Sequence, residues 1–154
     1  MTAHKSDIES AVSILLTPGG LDLNALDTGL GYAMGAGIDY ADLYFQRTWQ
    51  EGWVLEDGEV KEASYNIDGG VGVRSLAGEK TGFAYSNQIT ADALMDTGRT
   101  AAGIVRSGKQ LPGQKVTPVS AAARYAGIDP LAGLSAEEKV AMLKEADRVA
   151  RAAD

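Results

Sequence analysis

Few side chains in this sequence are of types that carry out chemistry, and their spacing decides most cases. His4 is the only histidine and there is no cysteine, so a zinc site built from imidazole and thiolate has a single candidate donor. The lack of cysteine also removes disulfides and thiol nucleophiles. Glu51, Glu56 and Asp57 would act as a glycosidase pair only if two of them faced each other across a cleft. Acids at a strand end and its turn are ordinarily solvated, and that reading is preferred. Gly70-Val71-Gly72-Val73-Arg74-Ser75 has the outline of a dinucleotide fingerprint, but Ser75 stands where the third glycine belongs and a strand pattern follows. No helix N-terminus is then offered to a phosphate, and no P-loop lysine motif occurs. Tyr44, Phe45, Trp49 and Trp53 would make either a ligand platform or, as preferred, cross-strand core pairs. Arg74, Glu79, Lys80 and Tyr85 are the candidates for contact with a peptide or a partner. The first three read more simply as an exposed ion cluster, which contributes little energy. No catalytic residue and no metal ligand is assigned, and the chain itself carries no cofactor site.

The elements that position these residues follow from the apolar period. Ile8, Ala11, Val12, Leu15 and Leu16 recur as one helix face, with Ser6 or Asp7 as cap and Pro18-Gly19-Gly20 as stop. Asp22 caps a second helix with the stripe Leu23, Leu26, Leu30, Ala33 and Met34, ending near Gly37. From Ile38 the period falls to two, placing Leu43 and Phe45 on one face and Tyr44, Gln46, Thr48 and Gln50 on the other. Trp53 to Glu56 and Val60 to Tyr65 flank Asp57-Gly58, a strong hairpin signal. Asn66, Asp68, Gly69 and Gly70 are expected to turn the chain into a further hairpin, Gly69 to Ser86, at the centre of the sheet. Its turn is Ala77-Gly78-Glu79-Lys80, and Thr81, Phe83 and Tyr85 alternate with Gly82, Ala84 and Ser86. Thr90 caps a third helix whose face of Leu94, Gly98, Ala101 and Val105 should cover the sheet, with Asp92 and Arg106 suiting its dipole. Ser135-Ala136-Glu137-Glu138 is a capping box for a last helix with the stripe Met142, Ala146, Val149 and Ala153.

The fold expected is α+β: an antiparallel β meander covered by helices, with N-terminal helices and a C-terminal helix. One domain over residues 1–154 divides into helices and meander (1–106), an extended strap (107–134) and the last helix (135–154). The strap holds Pro112, Pro118, Pro130 and four glycines, and so long an aperiodic stretch suggests a segment laid over other protein. The polar side of the meander, bordered by Thr48, Gln50, Arg74 and Lys80, is expected to stay open in the monomer. A net charge of −7 and a pI near 4.7 lack the attraction that drives nucleic-acid binding. The run Ile14-Leu15-Leu16 is too short and too close to Asp7 and Glu9 for a signal peptide. No segment reaches the length of a membrane span, and a cytoplasmic location is expected.

Several runs together carry a resemblance. Asp42-Leu43-Tyr44-Phe45-Gln46, Trp53-Val54-Leu55-Glu56-Asp57, Ser64-Tyr65-Asn66-Ile67-Asp68, Gly70-Val71-Gly72-Val73-Arg74 and Gly78 to Tyr85 stand in the order found in the TldD/PmbA family of zinc metallopeptidases. Asp129-Pro130-Leu131 and Ser135 to Lys139 extend the likeness to that family's N-terminal region. The resemblance implies a cytoplasmic protease subunit that pairs with a PmbA (TldE) paralogue and cleaves unfolded peptides in an enclosed chamber. Family roles it brings with it are trimming of a peptide-antibiotic leader, degradation of an antitoxin and a link to DNA gyrase inhibitors. It also implies zinc, held in the full-length family protein by a His-Glu-x-x-x-His helix of a later region. That motif is absent here, so no zinc ligand or base is carried over to any residue. The expectation is a non-catalytic N-terminal domain or a truncated frame. The alternatives are a stand-alone module that binds the paralogue, and an unrelated small-ligand binder using Trp49 and Trp53.

Overall fold

The computed structural model describes residues 7–106 and 129–153. His4, Ser6 and most of the expected strap therefore lie outside the described residues. In chain order the elements are α1 (Asp7–Ala11), α2 (Leu23–Ala33), β1 (Tyr40–Glu56), β2 (Glu59–Ala77), β3 (Lys80–Ser86), α3 (Ala91–Val105) and α4 (Ala136–Arg151). They form an antiparallel sheet of order β1-β2-β3 with helices, an α+β arrangement. The chain folds as two compact units, residues 7–47 with 68–106, and residues 48–67 with 129–153. Strands β1 and β2 contribute residues to both.

In the first unit the core is Leu16, Leu21, Leu26, Ala33, Val71, Val73, Leu94 and Ala101, with Ala41, Leu43, Phe45 and Ala84 packed around it. Leu94, fully buried, contributes about 1.5–3 kcal/mol through its side chain. Two helix caps are those the sequence indicates: Asp22 accepts from the Ala25 amide at 2.8 Å and Thr90 from that of Ala93 at 3.3 Å. Glycine sets the layer spacing. A Cβ on Gly82 of β3 would collide with the Ala101 carbonyl oxygen of α3, and one on Gly98 would lie 2.9 Å from the Gly29 carbonyl oxygen of α2. Bare backbone at these positions lets α3 settle onto the sheet and against α2. Where α2 ends, the Ser75 hydroxyl donates to the Ala33 carbonyl at 2.8 Å, satisfying a polar side chain that is wholly buried.

Four sequence expectations change ahead of α4. The first helix is regular only over α1; Val12–Leu16 widens into a π-helical turn and Thr17–Gly19 tightens into a 3₁₀ turn. The amide and hydroxyl of Thr17 both reach the Val12 carbonyl, which rotates the following residues. Leu16 is buried, while Ile8, Ala11 and Val12 of the expected stripe are exposed. Secondly, no turn forms at Asn66 to Gly70, because β2 runs unbroken through them. Gly69 and Gly70 lack positive φ; a Cβ there would press on the carbonyl oxygens of Gln46 and Ser86, so they serve close strand approach. The expected five strand runs thus merge into three. Thirdly, the hairpin Gly69 to Ser86 is not wholly central, since among the described strands β2 is the middle one and β3 an edge. Its turn keeps the expected geometry, with Gly78 at φ 56° between the paired Ala77 and Lys80. Fourthly, Arg106 follows α3 as its C-cap, outside the last turn.

In the second unit β1 and β2 meet at Asp57-Gly58, where φ is 51° and 75°, the two positive values of a type I′ hairpin. Ser135 and Glu138 exchange the reciprocal bonds of a capping box at the start of α4. The expected stripe of α4 is on the solvent side: Met142, Ala146 and Val149 are exposed, whereas Lys139, Val140, Leu143 and Asp147 are half-buried. The inward face combines the apolar Val140 and Leu143 with Lys139, whose ion pair is described below.

Candidate functional site

The outer face of the first unit's sheet carries most of the candidates. In the β2–β3 register Gly72 lies opposite Tyr85 and Arg74 opposite Phe83. Val71, Val73 and Ser75, the alternate residues, are buried against the helices. Tyr44, Phe83 and Tyr85 are 61%, 57% and 77% exposed, so large rings stand on the solvent side of this layer. Gly72 makes room for them: a Cβ there would lie 3.2 Å from the Phe83 ring and 4.0 Å from Cβ of Tyr44. Among these rings Arg74 Nε donates to both carboxylate oxygens of Asp42 at 3.3 and 3.2 Å, and its terminal NH2 also bonds that carboxylate. Hydrogen bonding to Asp42 holds the guanidinium's pKa above its usual value.

Arg74 and Tyr85 therefore share one face. Glu79 lies in the hairpin turn, and Lys80 has the strand parity of Gly82 and Ala84, away from that face. The ion partner of Arg74 is Asp42, which the sequence reading did not single out. The alternation Tyr40-x-Asp42-x-Tyr44 was the available signal. The four aromatics of the supposed platform do not gather as one set, since Phe45 packs against the core and Tyr44 stands outside.

A second feature lies along the side of β3 that no described strand pairs. A groove of about 660 Å³ is lined by Ala84, Tyr85 and Ser86 of β3 and by Asp92, Ala93, Asp96, Thr97 and Thr100 of α3, with Gln88 and Thr90 at its end. Gly98 turns toward α2, while Ala93, Thr97 and Thr100 line the groove together with β3. The hydroxyls of Thr97 and Thr100 already donate to the Ala93 and Asp96 carbonyls, at 2.6 and 2.8 Å.

The acids first considered for hydrolysis take other roles. Within the second unit Glu51 accepts from Lys139 Nζ at 2.7 Å and from the Trp53 indole, and Lys139 also donates to the Leu131 carbonyl at 2.8 Å. The two charged side chains are only 20% (Lys139) and 14% (Glu51) exposed. The Lys139 bond, followed by that from Trp53, holds the Glu51 carboxyl below its usual pKa, the opposite of what a general acid needs. Asp57 is exposed in its turn, with Arg151 at 3.8 Å. Among the described residues no three of His, Cys, Asp and Glu converge, so these residues do not fit a zinc centre.

Comparison with known proteins identifies the architecture. Residues 41–105, from the second residue of β1 to the end of α3, match the family described as PmbA/TldA metallopeptidase domain 1. The protein named Metalloprotease TldD homolog of Haemophilus influenzae is 46% identical over 142 residues, covering 91% of this chain and 30% of the relative. The chain belongs to the TldD/PmbA metallopeptidase family. Proteins of the same name from Buchnera aphidicola, subspecies Acyrthosiphon pisum and Schizaphis graminum, are 41% and 38% identical over 122 and 120 residues, each covering 76% of this chain and 24% of the relative. The chain thus spans less than a third of the length of these relatives. Asp42, Arg74, Glu79, Lys80, Tyr85 and the groove all lie within the matched domain of the TldD/PmbA family. No helix of the described residues is long and apolar enough to cross a membrane.

Proposed function

We propose that this chain is the non-catalytic first domain of a TldD-like metallopeptidase that processes unfolded peptides, and that it helps to wall the chamber, hold substrate or pair with a PmbA/TldE-like paralogue in the cytoplasm. The observation that carries this reading is the identity to Metalloprotease TldD homologs over most of this chain but under a third of theirs. The zinc of the full-length protein is assigned to its other regions, and no hydrolytic step is routed through any residue here. Domain limits of 1–154 with a strap at 107–134 remain part of the proposal. Arg74 and Tyr85 on the open face, with Glu79 and Lys80 at the hairpin end, are the proposed contacts. Aromatic rings with an arginine are the composition that protein contacts favour.

The test joins this chain to the remainder of a TldD homolog that lacks its own first domain. Zinc-dependent cleavage of an unfolded peptide should appear only when both parts and the paralogue are present. Equal cleavage without this chain would refute a role for the domain. A second reading, an interaction module that binds the paralogue with no part in proteolysis, draws on the same open face. It predicts a stable complex with the paralogue and no effect on cleavage.

A further inference from the structure

We propose that Asp68 is a site of spontaneous isoaspartate formation, in which the Gly69 nitrogen attacks the Asp68 side-chain carboxyl, and that the product is a substrate for a carboxyl methyltransferase directed at isoaspartyl groups. The inference is independent of the peptidase-domain reading. Ring closure at an aspartate is favoured by a following residue with no side chain to hinder it and by a carboxyl group held against the next nitrogen. Asp-Gly occurs at Asp57-Gly58 and Asp68-Gly69, and no asparagine precedes a glycine. At Asp68 the reacting groups are already in contact, since the Gly69 N–H donates to Oδ1 at 2.8 Å. The residue is exposed, and one flank of β2 is open to movement there because pairing with β3 begins at Val71. Asp57 differs: its side chain is 94% exposed and its contact is with Arg151, at 3.8 Å.

The first step is a dehydration. The Gly69 nitrogen loses its proton and bonds to Cγ of Asp68, the carboxyl hydroxyl departs as water, and a five-membered succinimide closes. Water then adds to the former main-chain carbonyl and breaks its bond to nitrogen. Gly69 is left joined through Cγ, and the main-chain carbonyl becomes a free carboxylate. No oxidant or reductant takes part, and the net mass is unchanged. The methyltransferase moves a methyl group from a sulfonium donor to that carboxylate; attack of the Gly69 nitrogen on the ester releases methanol and closes the ring again. The isoaspartyl linkage adds one methylene to the course of β2. Space is short there, because a Cβ on Gly69 would lie 3.0 Å from the Gln46 carbonyl oxygen of β1. Pairing of β1 with β2 around this point loosens as a result.

The experiment incubates the full chain at physiological temperature in mildly acidic buffer, folded and in urea. Isoaspartate is measured at each position by peptide mapping with electron-transfer fragmentation and by labelling with an isoaspartyl methyltransferase. In the folded chain, isoaspartate at 68 should form about threefold or more faster than at 57. In urea, where neither carboxyl is held, the two rates should agree within about twofold. Asp68→Glu, whose ring would need six members, should abolish the signal at 68 and leave that at 57 unchanged. Amide exchange over residues 59–70 should be faster in the isoaspartyl fraction than in the parent chain. A folded-chain rate at 57 equal to or above that at 68, the same excess of 68 over 57 in urea, failure of the methyltransferase to label position 68, or unchanged exchange in the isoaspartyl fraction would overturn the proposal.

Discussion

The two units of this chain are held together by different physics. In the first, buried aliphatic side chains and bare glycine backbone let two helices and a sheet approach closely, as Gly82 under Ala101 and Gly98 against Gly29 illustrate. In the second, no residue of α4 is buried, and the central fastening is the Lys139–Glu51 pair with its bonds to Trp53 and the Leu131 carbonyl. Close packing tolerates no added volume, whereas an ion pair tolerates none of the changes that leave one charge without the other. The two units should therefore fail under different perturbations.

The largest effect is expected from Gly82→Val. Its Cβ meets backbone, which cannot rotate away, so a loss of about 3 kcal/mol or more in chemical denaturation is expected. Leu94→Ala should cost about 2–5 kcal/mol by leaving a cavity between α2, α3 and the sheet. Either substitution acting mainly on α4 would break the distinction between the units.

A smaller and local effect is expected from Lys139→Met. It strands the largely buried Glu51 carboxylate, so amide exchange of α4 should accelerate while that of α3 does not change. Acid should do the same. The Glu51 pKa is lower in the folded chain than in the unfolded one, so its contribution is complete above the unfolded value near 4.5 and disappears as pH falls through the folded value. Exchange measured from pH 6 to pH 3 should show α4 loosening below pH 4.5, and Lys139→Met should reduce that pH dependence to the part contributed by Glu138 and Glu145, which Ser135 and Arg148 also hold below their usual pKa. The smallest effect on stability is expected at the open face, where Tyr85→Ser should change it by no more than about 0.5 kcal/mol while weakening partner or peptide contact.

The same contrast explains how much was legible in the sequence. Caps at Asp22, Thr90 and Ser135, the turns at Asp57-Gly58 and Gly78, and the alternation around Leu43 and Phe45 depend on near neighbours, and each appears in the structure. The uninterrupted course of β2 through Gly69 and Gly70 was not legible, because a glycine pair that serves close strand approach looks like one that serves a turn. Nor was the orientation of α4. Its apolar stripe pointed to Met142 and Val149, but the partner that turns Lys139 inward, Glu51, lies 88 residues away in sequence. At the candidate surface strand alternation gave the faces on which Arg74 and Tyr85 stand, while the Asp42 pairing and the β3–α3 groove required the tertiary arrangement.

The most direct test of the central claim is peptidase activity on an unfolded peptide with zinc added, measured for this chain alone and for the chain recombined with a first-domain-deleted TldD homolog and its paralogue. The account predicts no cleavage by the chain alone and cleavage restored on recombination. Zinc-dependent cleavage by this chain alone would contradict it.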